Sequence, residues 1–153
     1  MKKRVNWFAL IICLGIMLMI SLLGSSFNYD SGWYEGIKPS ITPPNFVFPI
    51  VWGILYILIG LAIYFTYTNK ENSRRKTVLW FFALNLLANV LWSFFFFGLH
   101  RPILAFFDIL ILLLSIIFIM MISYKKNKIT FWLLLPYLIW VCFATLLNLL
   151  ILR

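Results

Sequence analysis

The sequence predicts an all-α membrane protein in which a single domain, residues 1–153, forms a bundle of five transmembrane helices. Five hydrophobic runs occupy residues 5–27, 44–68, 77–97, 102–124 and 129–152. Each has about 20 residues or more, which at ~1.5 Å per residue is enough to cross a hydrocarbon core ~30 Å thick. The composition agrees, because 64% hydrophobic and 11% charged residues exclude an ordinary soluble domain.

The basic residues set the expected orientation. Ten of the 13 Lys and Arg residues flank the runs on one side: Lys2, Lys3, Arg4, Lys70, Arg74, Arg75, Lys76, Lys125, Lys126 and Lys128. Lys38, Arg101 and Arg153 lie on the other side. Positively charged loops stay in the cytoplasm, so we expect a cytoplasmic N-terminus, a C-terminus outside and a multi-pass location in the cell (plasma) membrane of a bacterium. The net charge of +9 is then a topology signal and indicates no nucleic-acid partner.

The first run and the loop after it have distinct roles. Residues 5–27 exceed the roughly 7–15 apolar residues of a signal peptide, and no Ala-x-Ala pattern closes them, so an uncleaved first helix is expected. Residues 28–43 form the longest connection and are expected on the outer face. Their Trp33-Tyr34 pair, two glycines and two prolines predict a folded lid.

Helical spacing gathers aromatic and polar side chains on one face of the second, third and fifth runs. These stripes are Phe48, Trp52 and Tyr56; Asn85, Asn89, Trp92 and Phe96; and Tyr137, Trp140, Ala144 and Asn148. In the expected orientation they lie in the outer half of the membrane, where a lipid-facing amide costs several kcal/mol. The stripes therefore face the bundle interior, either as interhelical glue or as the wall of a ligand pocket.

Two prolines inside these runs, Pro49 and Pro136, are each expected to remove a backbone hydrogen-bond donor and to favour a kink. The fourth run contains Asp108, the one acid within a span. Its distance from Pro102 suits the first turn of the helix. Interaction with the helix N-terminus, with Arg101 or with an asparagine is open for Asp108, and so is protonation of its carboxyl. A single acid without a second acid or His in mid-membrane makes a poor proton relay, so we assign structural roles to Asn85, Asp108 and Asn148.

The chain contains no recognisable catalytic set. It has no Ser-His-Asp arrangement, no carboxylate pair, no phosphate-binding glycine loop and no Cys/His metal spacing. We therefore expect no metal and no intrinsic cofactor.

The order of these landmarks resembles that of the translocator protein family, also called tryptophan-rich sensory proteins (TspO/peripheral benzodiazepine receptors). Residues 33–44, W-Y-E-G-I-K-P-S-I-T-P-P, are similar to the family's first-loop signature and are followed by Phe48, Pro49, Val51 and Trp52. Residues 85–93, N-L-L-A-N-V-L-W-S, resemble its motif in the third helix. Ala105 and Asp108 fit the fourth helix, and residues 136–148, P-Y-L-I-W-V-C-F-A-T-L-L-N, fit the fifth.

The resemblance implies a pocket in the outer half, capped by the first loop, that binds porphyrins such as protoporphyrin IX and isoquinoline- or benzodiazepine-type drugs. Carried over by motif, the ligand-binding residues are Tyr34, Pro43, Phe48, Trp52, Asn89, Trp92, Trp140, Phe143, Ala144 and Leu147. Family members are generally homodimers. Some bacterial relatives degrade protoporphyrin IX in light, which implies a photochemical, catalytic role for Trp52 and Trp140 with the porphyrin as substrate.

Two departures from the family pattern concern shape and sterols. Leu104 stands where many relatives have a tryptophan, which changes that side of the fourth helix. The chain ends L-N-L-L-I-L-R, without the tyrosine that the cholesterol motif of the animal proteins needs. Sterol binding is therefore not expected.

Three functions remain open from the sequence. The first is a receptor or transporter that binds tetrapyrroles and small hydrophobic drugs. The second is an enzyme for light-dependent oxidation of protoporphyrin IX, and the third is a scaffold whose dimer matters more than its pocket. Porphyrin quenching of tryptophan fluorescence is expected for the first two and not for the third.

The charge asymmetry makes the orientation testable. A reporter that is active only outside the cytoplasm should work when fused after Arg153 and should fail when inserted at Ser73, because Ser73 lies in a basic loop. Paired periplasmic and cytoplasmic reporters at both sites measure this. The opposite pattern would invert the orientation and move the stripes to the inner half.

Overall fold

Helices dominate the structure, a computed structural model that describes residues 5–27, 31–70 and 73–153. They are α1 (Trp7–Ser25), α2 (Ser31–Ile37), α3 (Val47–Thr68), α4 (Arg75–Ser93), α5 (Pro102–Lys126) and α6 (Lys128–Ile151), and a π-helical turn, Phe94–Gly98, continues α4. Within these ranges, every helix except α2 is long and apolar enough to span a membrane. The predicted fold class is confirmed, and the chain is a multi-pass membrane protein. The orientation of its termini stays a prediction.

The second spanning helix begins later than its hydrophobic run. α3 starts at Val47 because Pro43 and Pro44 lead into a turn, in which the Val47 N–H donates to the Pro44 carbonyl oxygen at 2.9 Å. Pro49 is therefore the third residue of α3, where a backbone N–H has no intrahelical acceptor. Pro49 thus removes a donor that has no acceptor within α3, whereas Pro136 removes a donor from the interior of α6.

The five spanning helices close into a ring in the order α1, α3, α6, α5, α4. The short helix α2 lies at the end of this ring where α1 ends and α3 begins, the lid end. There the rings of Trp33 and Tyr34 pack against Phe96 of the π-helical turn, with centroids 5.4 and 5.9 Å apart. The connection predicted as a lid is thus folded onto the bundle, although residues 28–30 of that prediction lie outside the described residues.

Asparagines tie the opposite end of the ring together. Asn127 caps α6 by accepting a hydrogen bond from the Thr130 N–H (3.4 Å), and its Nδ2 donates to the Phe65 carbonyl oxygen (3.1 Å). The Nδ2 of Asn69 donates to the Lys126 carbonyl oxygen at 3.0 Å. These contacts fix the end of α3 against the turn between α5 and α6.

A chain of hydrogen bonds crosses the middle of the bundle and links four helices. The hydroxyl of Tyr137 on α6 donates to Oδ1 of Asn85 (3.0 Å) and accepts from Nδ2 of Asn89 (3.4 Å), both on α4. Asn85 Nδ2 donates to Ser115 Oγ on α5 (2.8 Å), and Tyr56 Oη on α3 donates to Asn89 Oδ1 (2.8 Å). Because lipid offers no partner, these polar side chains hold the helices together.

One carboxylate oxygen of Asp108, Oδ2, is buried without a hydrogen-bond partner among the described residues. The residue as a whole is buried, with 7% of its surface exposed. The expected place of Asp108 in the first turn of its helix is wrong. α5 begins at Pro102, as its hydrophobic run predicts, and Asp108 is the seventh residue, beyond the turn with the free N–H groups.

The chain of hydrogen bonds across the bundle predicts that two substitutions on α6, each of which removes one hydroxyl group, differ in their effect on stability. Tyr137→Phe keeps a ring that is 1% exposed but removes the partner of both Asn85 and Asn89, so it should lower the free energy of unfolding by about 1–3 kcal/mol. Thr145→Val is the matched control, because Thr145 Oγ1 only donates to the Val141 carbonyl oxygen of its own helix (2.7 Å). Unfolding in detergent micelles measures both; equal stabilities would show that the chain contributes nothing to holding the helices.

Candidate functional site

A cavity of about 450 Å³ opens at the lid end, inside the ring of helices. Its volume lies in the range of small-molecule sites in proteins, ~300–1,000 Å³. α1, α2, α3, α4 with its π-helical turn, and α6 all contribute to the wall. The lining residues are Ser21, Gly24, Ser25, Tyr34, Glu35, Asn45, Phe48, Pro49, Trp52, Gly53, Tyr56, Asn89, Trp92, Ser93, Phe96, Phe97, Trp140, Ala144, Leu147, Asn148 and Ile151.

Most of the predicted ligand-binding residues meet at this wall. Those that line the cavity are Tyr34, Phe48, Trp52, Asn89, Trp92, Trp140, Ala144 and Leu147, whereas Pro43 and Phe143 do not. Pro43 precedes the turn that starts α3 and so is not on the helix face toward the cavity. Phe143 falls at the edge of the α6 stripe, where its ring supports the Trp140 ring at 5.7 Å from outside the wall.

Of the three residues that are expected to have structural roles, one lines the cavity and two do not. Asn148 lines the cavity and also joins two helices, because its Nδ2 donates to the Pro102 carbonyl oxygen at 3.0 Å. Its Oδ1 accepts from the indole Nε1 of Trp92 at 3.2 Å, which fixes that ring. Asn85 and Asp108 do not line the cavity. Glue and pocket wall are therefore not alternatives here, since Asn89 and Asn148 serve as both.

The contribution of α1 is the part of the site that the sequence reasoning missed. Ser21, Gly24 and Ser25 form one side of the cavity. Their spacing, i, i+3 and i+4, puts three small residues on one helix face, which is a signal that the sequence contains. Small residues on one helix face indicate a cavity only when the helices that pack opposite them are known.

Eight of the 21 residues that line the cavity are aromatic. Trp52 lies tilted by 32° against Tyr56, with ring centroids 5.5 Å apart, and Trp140 meets Phe48 edge-on at 5.8 Å. On the π-helical turn, Phe96 stacks on Trp92 at 5.0 Å with 15° between the rings. Such a wall favours flat apolar ligands, because they can pack against the faces and edges of the rings.

The lid carries a polar latch at the mouth of the cavity. One carboxylate oxygen of Glu35 accepts a hydrogen bond from Asn45 Nδ2 and the other pairs with Lys38 Nζ, both at 2.6 Å. The hydrogen bond from Asn45 and then the Lys38 ammonium lower the pKa of the Glu35 carboxyl below its ordinary value. Glu35 is therefore ionised at neutral pH, and the latch weakens only when acid protonates it. Burial of Tyr34 on the same helix raises the pKa of its phenol.

The described residues contain no cluster of three or more His, Cys, Asp or Glu side chains that could hold a metal ion. One polar atom at the cavity stands out instead. The indole Nε1 of Trp140 is buried and has no hydrogen-bond partner among the described residues. The site thus offers rings, amides and hydroxyls, which suit the binding of a small molecule.

Comparison with known proteins agrees with this geometry. The family model described as TspO/MBR family matches residues 7–153. A protein named "Tryptophan-rich protein TspO" from Archaeoglobus fulgidus is 39% identical over 147 residues, 94% of each chain, and one of the same name from Chlorobaculum tepidum is 37% identical over 100% of this chain and 98% of its own. The human "Translocator protein" is 33% identical, covering 82% of this chain and 78% of its own. The chain belongs to the TspO/MBR family.

Proposed function

We propose that the protein binds porphyrins such as protoporphyrin IX, and isoquinoline- or benzodiazepine-type drugs, in the cavity at the lid end. The observation that carries the proposal is the cavity of about 450 Å³ whose wall combines Trp52, Trp92 and Trp140 from three different helices. Tryptophan rings present wide, flat, apolar surfaces, and a macrocycle or a fused aromatic drug is the class of ligand that fits between them.

The positions of the polar groups in the wall also support this proposal. Asn89 and Tyr56 lie deep in the cavity, and Ser25 and Asn45 are exposed at its mouth. A tetrapyrrole has an apolar ring and charged edge substituents, so its ring can enter while its edge stays near the mouth. The folded lid then covers the ligand through Tyr34.

A second function, the light-dependent oxidation of protoporphyrin IX, is favoured by the placement of Trp52 and Trp140 on two neighbouring helices of the same wall, α3 and α6. In this reaction the bound porphyrin absorbs light, molecular oxygen is the oxidant, and the easily oxidised indoles lie beside the excited ring. No acid–base residue is required.

The proposal extends to location and assembly. The five spanning helices suit a plasma membrane, and the resemblance of the motifs favours a homodimer. We propose this location and assembly for the chain, and cross-linking in native membranes tests the assembly.

The pocket is tested by filling it. Ala144→Phe should weaken porphyrin and drug binding by at least roughly 1–3 kcal/mol, because Ala144 lines the cavity and a phenyl ring overfills it. Ala83→Phe is the matched control, since Ala83 lies exposed on α4 and outside the wall. Quenching of tryptophan fluorescence by protoporphyrin IX in the dark gives both affinities. Normal binding by Ala144→Phe contradicts the proposed site.

The two indoles are tested by separating binding from turnover. Trp52→Phe and Trp140→Phe keep an aromatic ring, so both should retain measurable dark binding of protoporphyrin IX, but both should lose the light-dependent formation of a new absorbing product. Trp80→Phe is the control, because Trp80 is 77% exposed and outside the cavity. Parallel loss of binding and turnover reduces the indoles to pocket walls, and full turnover in the double variant removes them from the chemistry.

A further inference from the structure

The hydrogen bonds that cross the bundle have a fixed direction, and the direction starts at a backbone carbonyl. The Leu112 carbonyl oxygen can only accept. Ser115 Oγ lies 2.7 Å from it and therefore donates its one hydrogen there. Asn85 approaches both the same carbonyl oxygen (3.3 Å) and Ser115 Oγ (2.8 Å), so the end of its amide that faces them is the nitrogen.

The direction then passes along the chain to the cavity. With the nitrogen of Asn85 turned to α5, its Oδ1 faces Tyr137 and accepts the hydrogen of that hydroxyl (3.0 Å). The Tyr137 oxygen, having donated, accepts from the Asn89 nitrogen (3.4 Å). The Asn89 Oδ1 therefore faces Tyr56, and at 2.8 Å it accepts the only hydroxyl hydrogen that Tyr56 has. The directions of the first four hydrogen bonds thus determine the direction of the fifth, from Tyr56 to Asn89.

The hydroxyl of Tyr56 consequently has no hydrogen left for anything in the cavity. Its oxygen retains a lone pair, which can accept a further hydrogen bond but cannot supply one. A free tyrosine hydroxyl rotates and serves as donor or acceptor, but the chain removes that choice. Ser93, nearby on α4, has no such constraint in the hydrogen bonds of the described residues.

The residue of α1 that faces this oxygen is a glycine, Gly24, which leaves room there for about one methyl group. A Cβ built on Gly24 would lie 3.8 Å from Tyr56 Oη and 3.5 Å from Ser93 Oγ, both ordinary contact distances. Gly24 thus leaves a niche between α1, α3 and α4, and Ser21 and Ser25 line the cavity on the same helix face. A single methyl group would occupy the niche without displacing its neighbours.

We propose that Tyr56 Oη, in the niche left by Gly24, is a fixed hydrogen-bond acceptor that selects ligands carrying an N–H or O–H donor at that point. The proposal deepens the proposed function and rests on it, because it specifies what the same cavity recognises. Asn89 is a positioning residue in this scheme, since it holds the Tyr56 hydrogen away from the ligand.

The test uses two probes of the same size and flatness, N-methyl-2-naphthamide and its ester analogue methyl 2-naphthoate. They differ in one group, since the N–H of the amide is replaced by an ester oxygen without a hydrogen. Calorimetric titration of the purified protein gives the ratio of the two dissociation constants. Tyr56→Phe should reduce the preference for the amide by about 3- to 10-fold, the loss of one neutral hydrogen bond.

Two further variants make the result specific. Gly24→Ala leaves the chain of hydrogen bonds intact but fills the niche, so it should reduce the amide preference to a similar extent even if Tyr56→Phe folds poorly. Tyr64→Phe removes a hydroxyl from the same helix outside the cavity, where it accepts from the Asn6 N–H at 3.1 Å, and should leave the ratio unchanged. An unchanged ratio in both Tyr56→Phe and Gly24→Ala overturns the proposal, as does an equal change in Tyr64→Phe.

A parallel titration with protoporphyrin IX separates this proposal from the one it rests on. Porphyrin binding together with a ratio that no variant changes overturns the acceptor role of Tyr56 and leaves the porphyrin site standing. Failure of porphyrin to bind, with an amide preference that Tyr56→Phe and Gly24→Ala both abolish, overturns the proposed ligand and supports the acceptor.

Discussion

The requirement that polar groups inside a bilayer find partners within the protein governs the rest of this structure. Asn85, Asn89 and Tyr137 cannot face lipid, so they point inward and bond to one another between helices. Their bonds hold α4, α5 and α6 at one mutual distance in the middle of the bundle. Toward the lid end the same stripes continue as tryptophan and phenylalanine, and there the helices enclose a cavity instead of a bonded core. Tyr56 and Asn89, at the end of this chain of hydrogen bonds, are thus part of the cavity wall.

The cavity exists because large and small residues are distributed unequally around the ring. α3, α4 and α6 supply tryptophans whose rings brace one another, as Trp92 is braced by Phe96 and by its bond to Asn148. α1 supplies Ser21, Gly24 and Ser25, and α6 contributes Ala144 among its bulky neighbours. Rings that are fixed by such contacts cannot collapse into the space left by the small residues. The cavity therefore stays open because the aromatic rings of α3, α4 and α6 are held in place and because the facing residues of α1 are small.

Much of this could be predicted from sequence because membrane helices obey strong rules. Length and hydropathy identified the spans, and the ~3.6-residue period put Phe48 and Trp52 and then Asn89 and Trp92 on faces that do meet. The details that failed depend on local backbone geometry. The start of α3 at Val47 followed from a proline turn, and the π-helical turn at Phe94–Gly98 has no simple sequence signal. The sequence did not predict the contribution of α1 to the cavity wall, because serine and glycine on a helix face indicate a cavity only when the neighbouring helices are known.

The division of labour between α1 and the other helices has a consequence for how recognition can vary. Tyr56 and Asn89 line the cavity and, with Tyr137, belong to the buried hydrogen bonds, so a substitution at any of the three disturbs the bundle. Ser21, Gly24 and Ser25 have no part in the chain of hydrogen bonds between Leu112 and Tyr56. Adding a methyl or hydroxymethyl group on that face of α1 therefore changes the room beside the Tyr56 oxygen while the buried hydrogen bonds stay in place. Because these α1 residues take no part in that chain of hydrogen bonds, we expect substitutions on this face of α1 to change the shape of the cavity at little cost in stability.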